Sequence, residues 1–244
     1  MSARITLAVA RRVLIQLRRD RRTLAMLLVL PCAVMTLLWW MFTDQPGRGF
    51  SALAPALLAL IPFIVMFLVT SVTTLRERTS GTLERLLAMP MGKGDFLLGY
   101  AVAFGVVAAV QSGLAVLLST WLLDLNVVGP TWLLLVVAVL DAVLGTALGL
   151  FVSAFARTEF QAVQFMPVLV VPQILLCGLF VDRDRLPGFL HGVSSCLPLS
   201  YAVDAMTKVA DEQAPQVVGD LGLVAGFALA ALVLGALTLR RRSD

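Results

Sequence analysis

The stretch RERTSGTLERLLAMPMGKGD, residues 76–95, is a polar island between two of the longest apolar runs in the chain. The runs on either side, near 53–75 and 96–122, are each long enough to cross a hydrocarbon core of about 30 Å, which takes about 20 helical residues. Two such helices joined by a short charged segment make a membrane hairpin, and the rest of the chain repeats the pattern. Inside the island, Gly81 opens and Pro90 closes a short helical pattern. Leu83, Leu86 and Leu87 fall on one side at i, i+3, i+4, with Glu84 and Arg85 on the other. A helix of that size is only about 12 Å long. It is marginal in water and needs a partner surface to hold it.

Composition agrees with membrane. Of 244 residues, 59% are hydrophobic and 14% charged, and the mean hydropathy of +0.94 lies outside the range of soluble domains. The expected class is an all-α polytopic membrane protein, residues 1–244 forming a single transmembrane domain. Cys32, Cys177 and Cys196 have neither metal-site spacing nor an even count. His191 is the only histidine, which argues against a histidine metal cluster or a Ser-His-Asp triad. A net charge of +4 raises nucleic acid as a partner. The basic residues, however, sit at the ends of apolar runs, where membrane topology places them, so no nucleic acid is expected. Arginine outnumbers lysine 17 to 2, which suggests a GC-rich bacterial source and hence a bacterial cytoplasmic membrane.

Residues 1–22 mix apolar groups with arginines at helical spacing. Ile5, Val9, Val13 and Leu17 recur every fourth residue with Leu14 alongside, while Arg4, Arg11 and Arg18 recur every seventh on the opposite side. The pattern predicts an amphipathic helix along the inner membrane surface, its arginines reaching lipid phosphates. A twin-arginine export signal is the competing reading of Arg21 and Arg22. The run that follows is long enough to span and has no A-x-A-like cleavage site.

Six apolar segments then meet the length requirement, near 23–42, 53–75, 96–122, 132–155, 160–181 and 217–239. With the N-terminus cytoplasmic, the inside segments hold 15 Lys and Arg and the outside segments hold 4. That asymmetry predicts cytoplasmic termini, and it places Trp39, Trp40, Trp121 and Trp132 at the outer interface. Small residues one turn apart, Gly105, Ala109 and Gly113 in the third span and Gly145 and Gly149 in the fourth, predict close helix packing. Pro55 and Pro62 in the second span and Pro167 and Pro172 in the fifth predict kinks or local breaks. The segment after the fifth span is too apolar for a free loop and too interrupted to span. It predicts a re-entrant hairpin of short helices, 182–206, at the outer face.

Two stretches carry a family resemblance. RERTSGTLERLLAMPMGKGDFLLG is similar to the RERE-GTLE-LL-TP motif of ABC-2 type ABC exporter permeases. CGLFVDRDRLPGFLHGVSSCLPLSYAVDAM, residues 177–206, resembles the signature of the drug-resistance, daunorubicin-exporter-like branch, with Leu186-Pro187 and Pro198 to Ala205 in register. The departure is Val181-Asp182, where many members have a second aromatic residue and a proline. The resemblance covers essentially the whole chain. It implies a half-transporter that pairs with a second permease, identical or a sister chain, and docks two ATP-binding subunits.

On that resemblance, the segment Gly81, Thr82, Leu83, Glu84, Arg85, Leu86, Leu87, Pro90 is the coupling helix that seats in the ATPase. ATP and Mg belong to the partner subunit, and no cofactor is expected on this chain. Gly92-Lys93 does not form a phosphate-cradling G-x-x-x-x-G-K-[ST] loop, because Leu87 stands at the first glycine and Gly94 at the Ser or Thr. The outer hairpin, with Leu186, Pro187, Pro198, Tyr201 and Asp204, is the expected outer gate. The implied activity is ATP-driven export of a lipophilic drug-like or lipid-like molecule. A glycan or lipid-linked precursor exporter, an ATP-independent carrier and a membrane scaffold are the alternatives.

Four polar positions are candidates for the substrate path. Asp141 lies deep in the fourth span, where a charge costs at least about 2.5 kcal/mol. Either it attracts a lipophilic cation, or it is protonated and bonded to a neighbouring helix; the fourth span is usually peripheral in this family, which favours the second role. Gln173, in the fifth span that lines the family's dimer path, is favoured over Gln111 for substrate contact. Thr70 and Thr74, with Ser71 and Thr73, either line a cytoplasmic vestibule or bond back to their own helix.

Overall fold

The computed structural model describes residues 2–42, 49–80, 92–125, 127–211 and 217–238, and over them the only regular structure is helical. In chain order the helices are α1 (Ala3–Arg19), α2 (Arg21–Phe42), α3 (Phe50–Thr79), α4 (Lys93–Trp121), α5 (Thr131–Ser153), α6 (Glu159–Leu176), α7 (Gly188–Ser195), α8 (Pro198–Ala210) and α9 (Val217–Thr238), with a 3₁₀ turn at Arg183–Arg185. Six of them, α2 to α6 and α9, are long and apolar enough to cross a membrane. All-helical architecture follows from the solvent. In lipid every backbone N–H and C=O must be satisfied within the segment, which an α-helix does.

The spans begin and end close to the expected positions, with one shortening. The fifth span stops at Leu176 instead of 181. Gly178 takes a φ of 98°, a left-handed conformation that ends the helix just beyond Cys177. The prolines expected to kink or locally break spans, Pro55, Pro62, Pro167 and Pro172, lie inside helices that continue through them, as does the buried Pro31 in α2.

α3 and α5 form the centre of the bundle. Their approach depends on missing side chains: a Cβ on Gly145 would stand 2.5 Å from the carbonyl oxygen of Phe63, and one on Gly149 would stand 2.6 Å from that of Phe67. The third span's small residues are less critical. A Cβ on Gly105 would meet nothing nearer than a Val143 methyl at 3.8 Å. Gly145→Ala is therefore expected to lower stability by about 1–3 kcal/mol through overpacking. Gly105→Ala should be neutral or gain about 0.5–1 kcal/mol of helix propensity. Thermal unfolding of the two variants in one detergent checks the contrast, and equal melting curves would sink the close-packing account.

At 30 residues α3 is about 45 Å long. It overshoots the hydrocarbon core and carries Arg76, Glu77 and Arg78 to one end of the bundle. That end also holds α1, the start of α4, the end of α5 and the start of α6. The opposite end holds α7 and α8, with the α4–α5 connection bonded to the end of α8 through the amides of Val128 and Gly129. α1 is helical as expected, and Val9, Val13 and Leu17 of its stripe are buried while Arg4, Arg11 and Arg18 are exposed. The stripe packs on protein, in one cluster with Leu27, Phe96, Tyr100 and Phe104.

Candidate functional site

Successive residues of a helix point about 100° apart, and the triplet at the end of α3 uses this to reach three neighbours. Arg76 donates Nε and Nη2 to the two carboxylate oxygens of Glu159 at 2.7 and 2.9 Å, tying α3 to α6. Glu77, only 4% exposed, accepts from Arg12 Nη2 at 3.2 Å and from Gln16 Nε2 at 3.1 Å, tying α3 to α1. Arg78 donates Nη1 to the carbonyl of Ser153 at 2.5 Å and satisfies the last turn of α5. The chain entering residues 81–91 is thus held from three sides.

The chain leaving them is held as well. Asp95 is buried at the start of α4 and accepts from the backbone amide of Ser2 at 2.9 Å and from that of Gly92 at 3.1 Å. α1 runs alongside α4 so closely that a Cβ on Gly99 would stand 2.6 Å from Val9. Both ends of the 81–91 segment therefore rest on α1. The expected coupling residues, Gly81, Thr82, Leu83, Glu84, Arg85, Leu86, Leu87 and Pro90, lie outside the described residues; what the structure describes is their footing.

Sequence reasoning missed Arg12, and it placed Arg76, Glu77 and Arg78 in the 76–95 loop without giving them separate roles. An alternating charge triplet closing an apolar run was the available signal. Arg12 carried none, because it sits beside the exposed arginine stripe in sequence and off it in space.

The path candidates separate. Thr70 and Thr74 are buried and their hydroxyls make no hydrogen bond among the described residues. Thr70 packs against α5, where a Cβ on Gly149 would come within 3.1 Å of it. Of this group Ser71 alone is seen bonding back, to Leu68 at 3.0 Å, and Thr73 faces a cavity between α1 and α3. Asp141 is fully buried, and neither carboxylate oxygen has a hydrogen-bond partner among the described residues; Gln111 is in the same condition. Asp141's span, α5, is central within the chain's own bundle, because its two glycines admit α3 and its other faces take α4 and α9, whereas Gln111 lies on α4. Gln173 is nearly buried and bridges two elements: its Nε2 donates to the Leu169 carbonyl at 3.0 Å, and its Oε1 accepts from the Leu199 amide at 3.3 Å.

That bond joins α6 to the first turn of α8, within the expected outer gate. Pro187 precedes α7 and Pro198 is the first residue of α8, each where a missing N–H costs nothing. Leu186 is partly buried. Tyr201 donates its hydroxyl to the Ser195 carbonyl at 2.7 Å. Asp204 forms an ion pair with Arg183, whose Nε donates to Ser194 Oγ at 2.9 Å and whose guanidinium stands 5.0 Å from the Tyr201 ring centre. Ser194 in turn donates to the Leu176 carbonyl at 2.8 Å. Burial pushes the Asp204 carboxyl above its ordinary range despite the opposing pull of Arg183. The arrangement makes α7 and α8 one hydrogen-bonded cap on α6, with Arg183 at its centre.

The chain is similar to several curated permeases. It is 28% identical over 155 residues to the probable multidrug ABC transporter permease YbhR of Escherichia coli (strain K12), covering 64% of this chain and 42% of that one. It is 26% identical over 202 residues to the linearmycin resistance permease protein LnrN of Bacillus subtilis (strain 168), covering 81% of this chain and 50% of that one. A third relative, ABC transporter G family member 20 of Dictyostelium discoideum, is 27% identical over 157 residues, 64% of this chain and 22% of that one. The matched stretches are at most half the length of these relatives. Residues 5–210 match the model of the ABC-2 type transporter family. With six apolar spans, a charged footing at one end and a capped hairpin at the other, the chain belongs to that family.

Proposed function

We propose that this chain is the membrane permease subunit of an ATP-driven exporter, moving a lipophilic drug-like or lipid-like molecule out of the cytoplasm or inner leaflet. The observation that carries the reading is the footing of residues 81–91. A segment that must pass force from an ATPase to the spans needs both ends braced, and here one end is tied to α1, α5 and α6 and the other to α1. ATP and Mg are bound and hydrolysed on a separate subunit, two copies of which serve a pair of permeases. Closure of the ATPases moves the coupling segment, the RER triplet passes the motion to three helices at once, and the outer cap yields. Gln173 makes the fifth span part of that cap. Drug-like substrates accord with the names of the bacterial relatives, a probable multidrug transporter permease and a linearmycin resistance permease.

The apolar outer faces of α2 and α6, with Val29, Leu30 and Leu37 on one and Val168, Leu169 and Leu175 on the other, are exposed. A second permease copy and bilayer lipid would cover them. The test is purification of the tagged chain from its host in mild detergent. A stoichiometric ATP-binding subunit with ATPase activity supports the reading, and an ATPase-free oligomer that transports on its own overturns it.

Topology has its own test. Cys196 is exposed at the end of α7, whereas Cys177 is buried, which also pushes its thiol pKa up. With both termini in the cytoplasm, a membrane-impermeant maleimide added to intact cells should label the protein, and Cys196→Ser should remove the label. Labelling only after permeabilisation would reverse the orientation.

A further inference from the structure

On the exporter reading, we infer that Lys208, Asp220 and Phe227 are positioning residues of the outer cap, fastening α8 to the last span so that the two move together and the cap parts from the bundle at α6. α8 and α9 meet at two levels. Lys208 Nζ donates to Asp220 Oδ2 at 2.6 Å, with the side chains 29% and 12% exposed. Tyr201 and Phe227 stack with ring centres 6.2 Å apart and planes 26° from parallel. The two contacts share one antiparallel register: Tyr201 lies seven residues before Lys208 on α8, and Phe227 seven residues after Asp220 on α9. Seven residues are about 10 Å and within about 20° of two full turns, so both contacts fall on one side of each helix. A single contact would let the helices pivot. Two fix tilt and register together, and Val209, Val217 and Val224 of the same helices are buried in one core cluster.

Between those two levels α8 carries Asp204, whose ion pair with Arg183 brings the 3₁₀ turn along, and the Arg183 guanidinium lies against the Tyr201 ring that stacks on Phe227. At its outer end α8 accepts the amides of Val128 and Gly129, each at 3.1 Å. The described bonds toward α6 are of another kind. The Leu199 amide donates to Gln173 Oε1 at 3.3 Å and Ser194 Oγ to the Leu176 carbonyl at 2.8 Å, and among the described residues no ion pair joins α6 to the cap. Charge-assisted bonds are about twice as strong as neutral ones, so the cap leaves α6 before it leaves α9. Gly178, with its φ of 98°, stands between α6 and the 3₁₀ turn and supplies the joint. Cys177, buried where α6 ends, lies at the seam.

The complex with its ATP-binding subunit would be purified with Cys32→Ser and Cys196→Ser in this chain, leaving Cys177 as its one native thiol. A fluorescent maleimide is added without nucleotide and after trapping with ATP and vanadate, and label is read on this chain. The expected result is about tenfold more labelling of Cys177 in the trapped complex. Lys208→Cys with Asp220→Cys, closed beforehand by a short bis-thiosulfonate, replaces the ion pair with a covalent bridge, and trapping should still expose Cys177. Should the bridged chain melt early, Lys208→Met is compared with the exchange Lys208→Asp, Asp220→Lys: the first should label without nucleotide, and the second, which keeps the pair, should stay silent until trapped. Cys177 silent in the trapped complex, a bridge that keeps it silent, or equal labelling of the last two variants overturns the inference while ATP hydrolysis stands. A purified complex without ATP hydrolysis overturns the exporter reading, and this inference with it.

Discussion

Arg12→Met is expected to reduce export, and substrate-stimulated ATPase activity in the assembled complex, by at least about tenfold. The substitution keeps the length and apolar stem of the side chain but removes the one charged donor that Glu77 has among the described residues, leaving it buried with Gln16. The Arg12 side chain is 37% exposed and that of Glu77 5%, so the loss lies between the ~1 kcal/mol of a surface pair and the ~3–5 kcal/mol of a broken buried one. That is enough to release α1 from α3 for a substantial part of the time, and a brace that is released transmits nothing. Arg11→Met, one residue away on the exposed face, should leave activity unchanged. The exchange Arg12→Glu with Glu77→Arg should recover part of it, since the pair bridges α1 and α3 in either sense. Normal export by Arg12→Met in folded protein would sink the bracing role, whatever becomes of the family assignment.

The second large effect is expected at Leu86 and Leu87. An aspartate at either position puts a carboxylate where the helical pattern needs an apolar anchor, and burying an unpaired charge in a protein groove is prohibitive. Anchors of this kind commonly account for 2 kcal/mol or more of binding. Co-purification of the ATP-binding subunit should be lost while the thermal unfolding of the spans stays unchanged, because neither leucine belongs to a span. Retained ATPase with normal export in both variants would remove the coupling assignment and return weight to a carrier or a scaffold.

These predictions differ in where they were legible. The apolar side formed by Leu83, Leu86 and Leu87 came from local spacing, and its coupling role, like the outer-gate role of Pro187 and Pro198, from the family resemblance. Arg12 did not. Its partner lies 65 residues away, and the seven-residue stripe that sets Arg11 apart from it says nothing of what Arg12 pairs with. Gln173 was legible as a polar side chain deep in a span but not as a bridge to α8, since its second partner is the backbone of a residue 26 positions on. Thr70, Thr74 and Thr73 share one short polar stretch; only the packing of Gly149 against Thr70 separates the buried members from the one that faces the cavity.

The sequence by itself determined the membrane class, the number of spans and their approximate ends, and the charge asymmetry between the two sides. Each of these rests on local chemistry: about 20 apolar residues satisfy a bilayer, and their backbone has to be helical there. Tertiary structure alone decided that α5 is central, that α1 lies on α3 and α4, and which arginine holds Glu77. Lipid tails are as apolar as leucine, so a span facing lipid and a span facing protein carry the same hydrophobic signal. What tells them apart is the fit of small residues such as Gly145 against a partner backbone and the pairing of charges far apart in the chain, and both exist only once the helices have met.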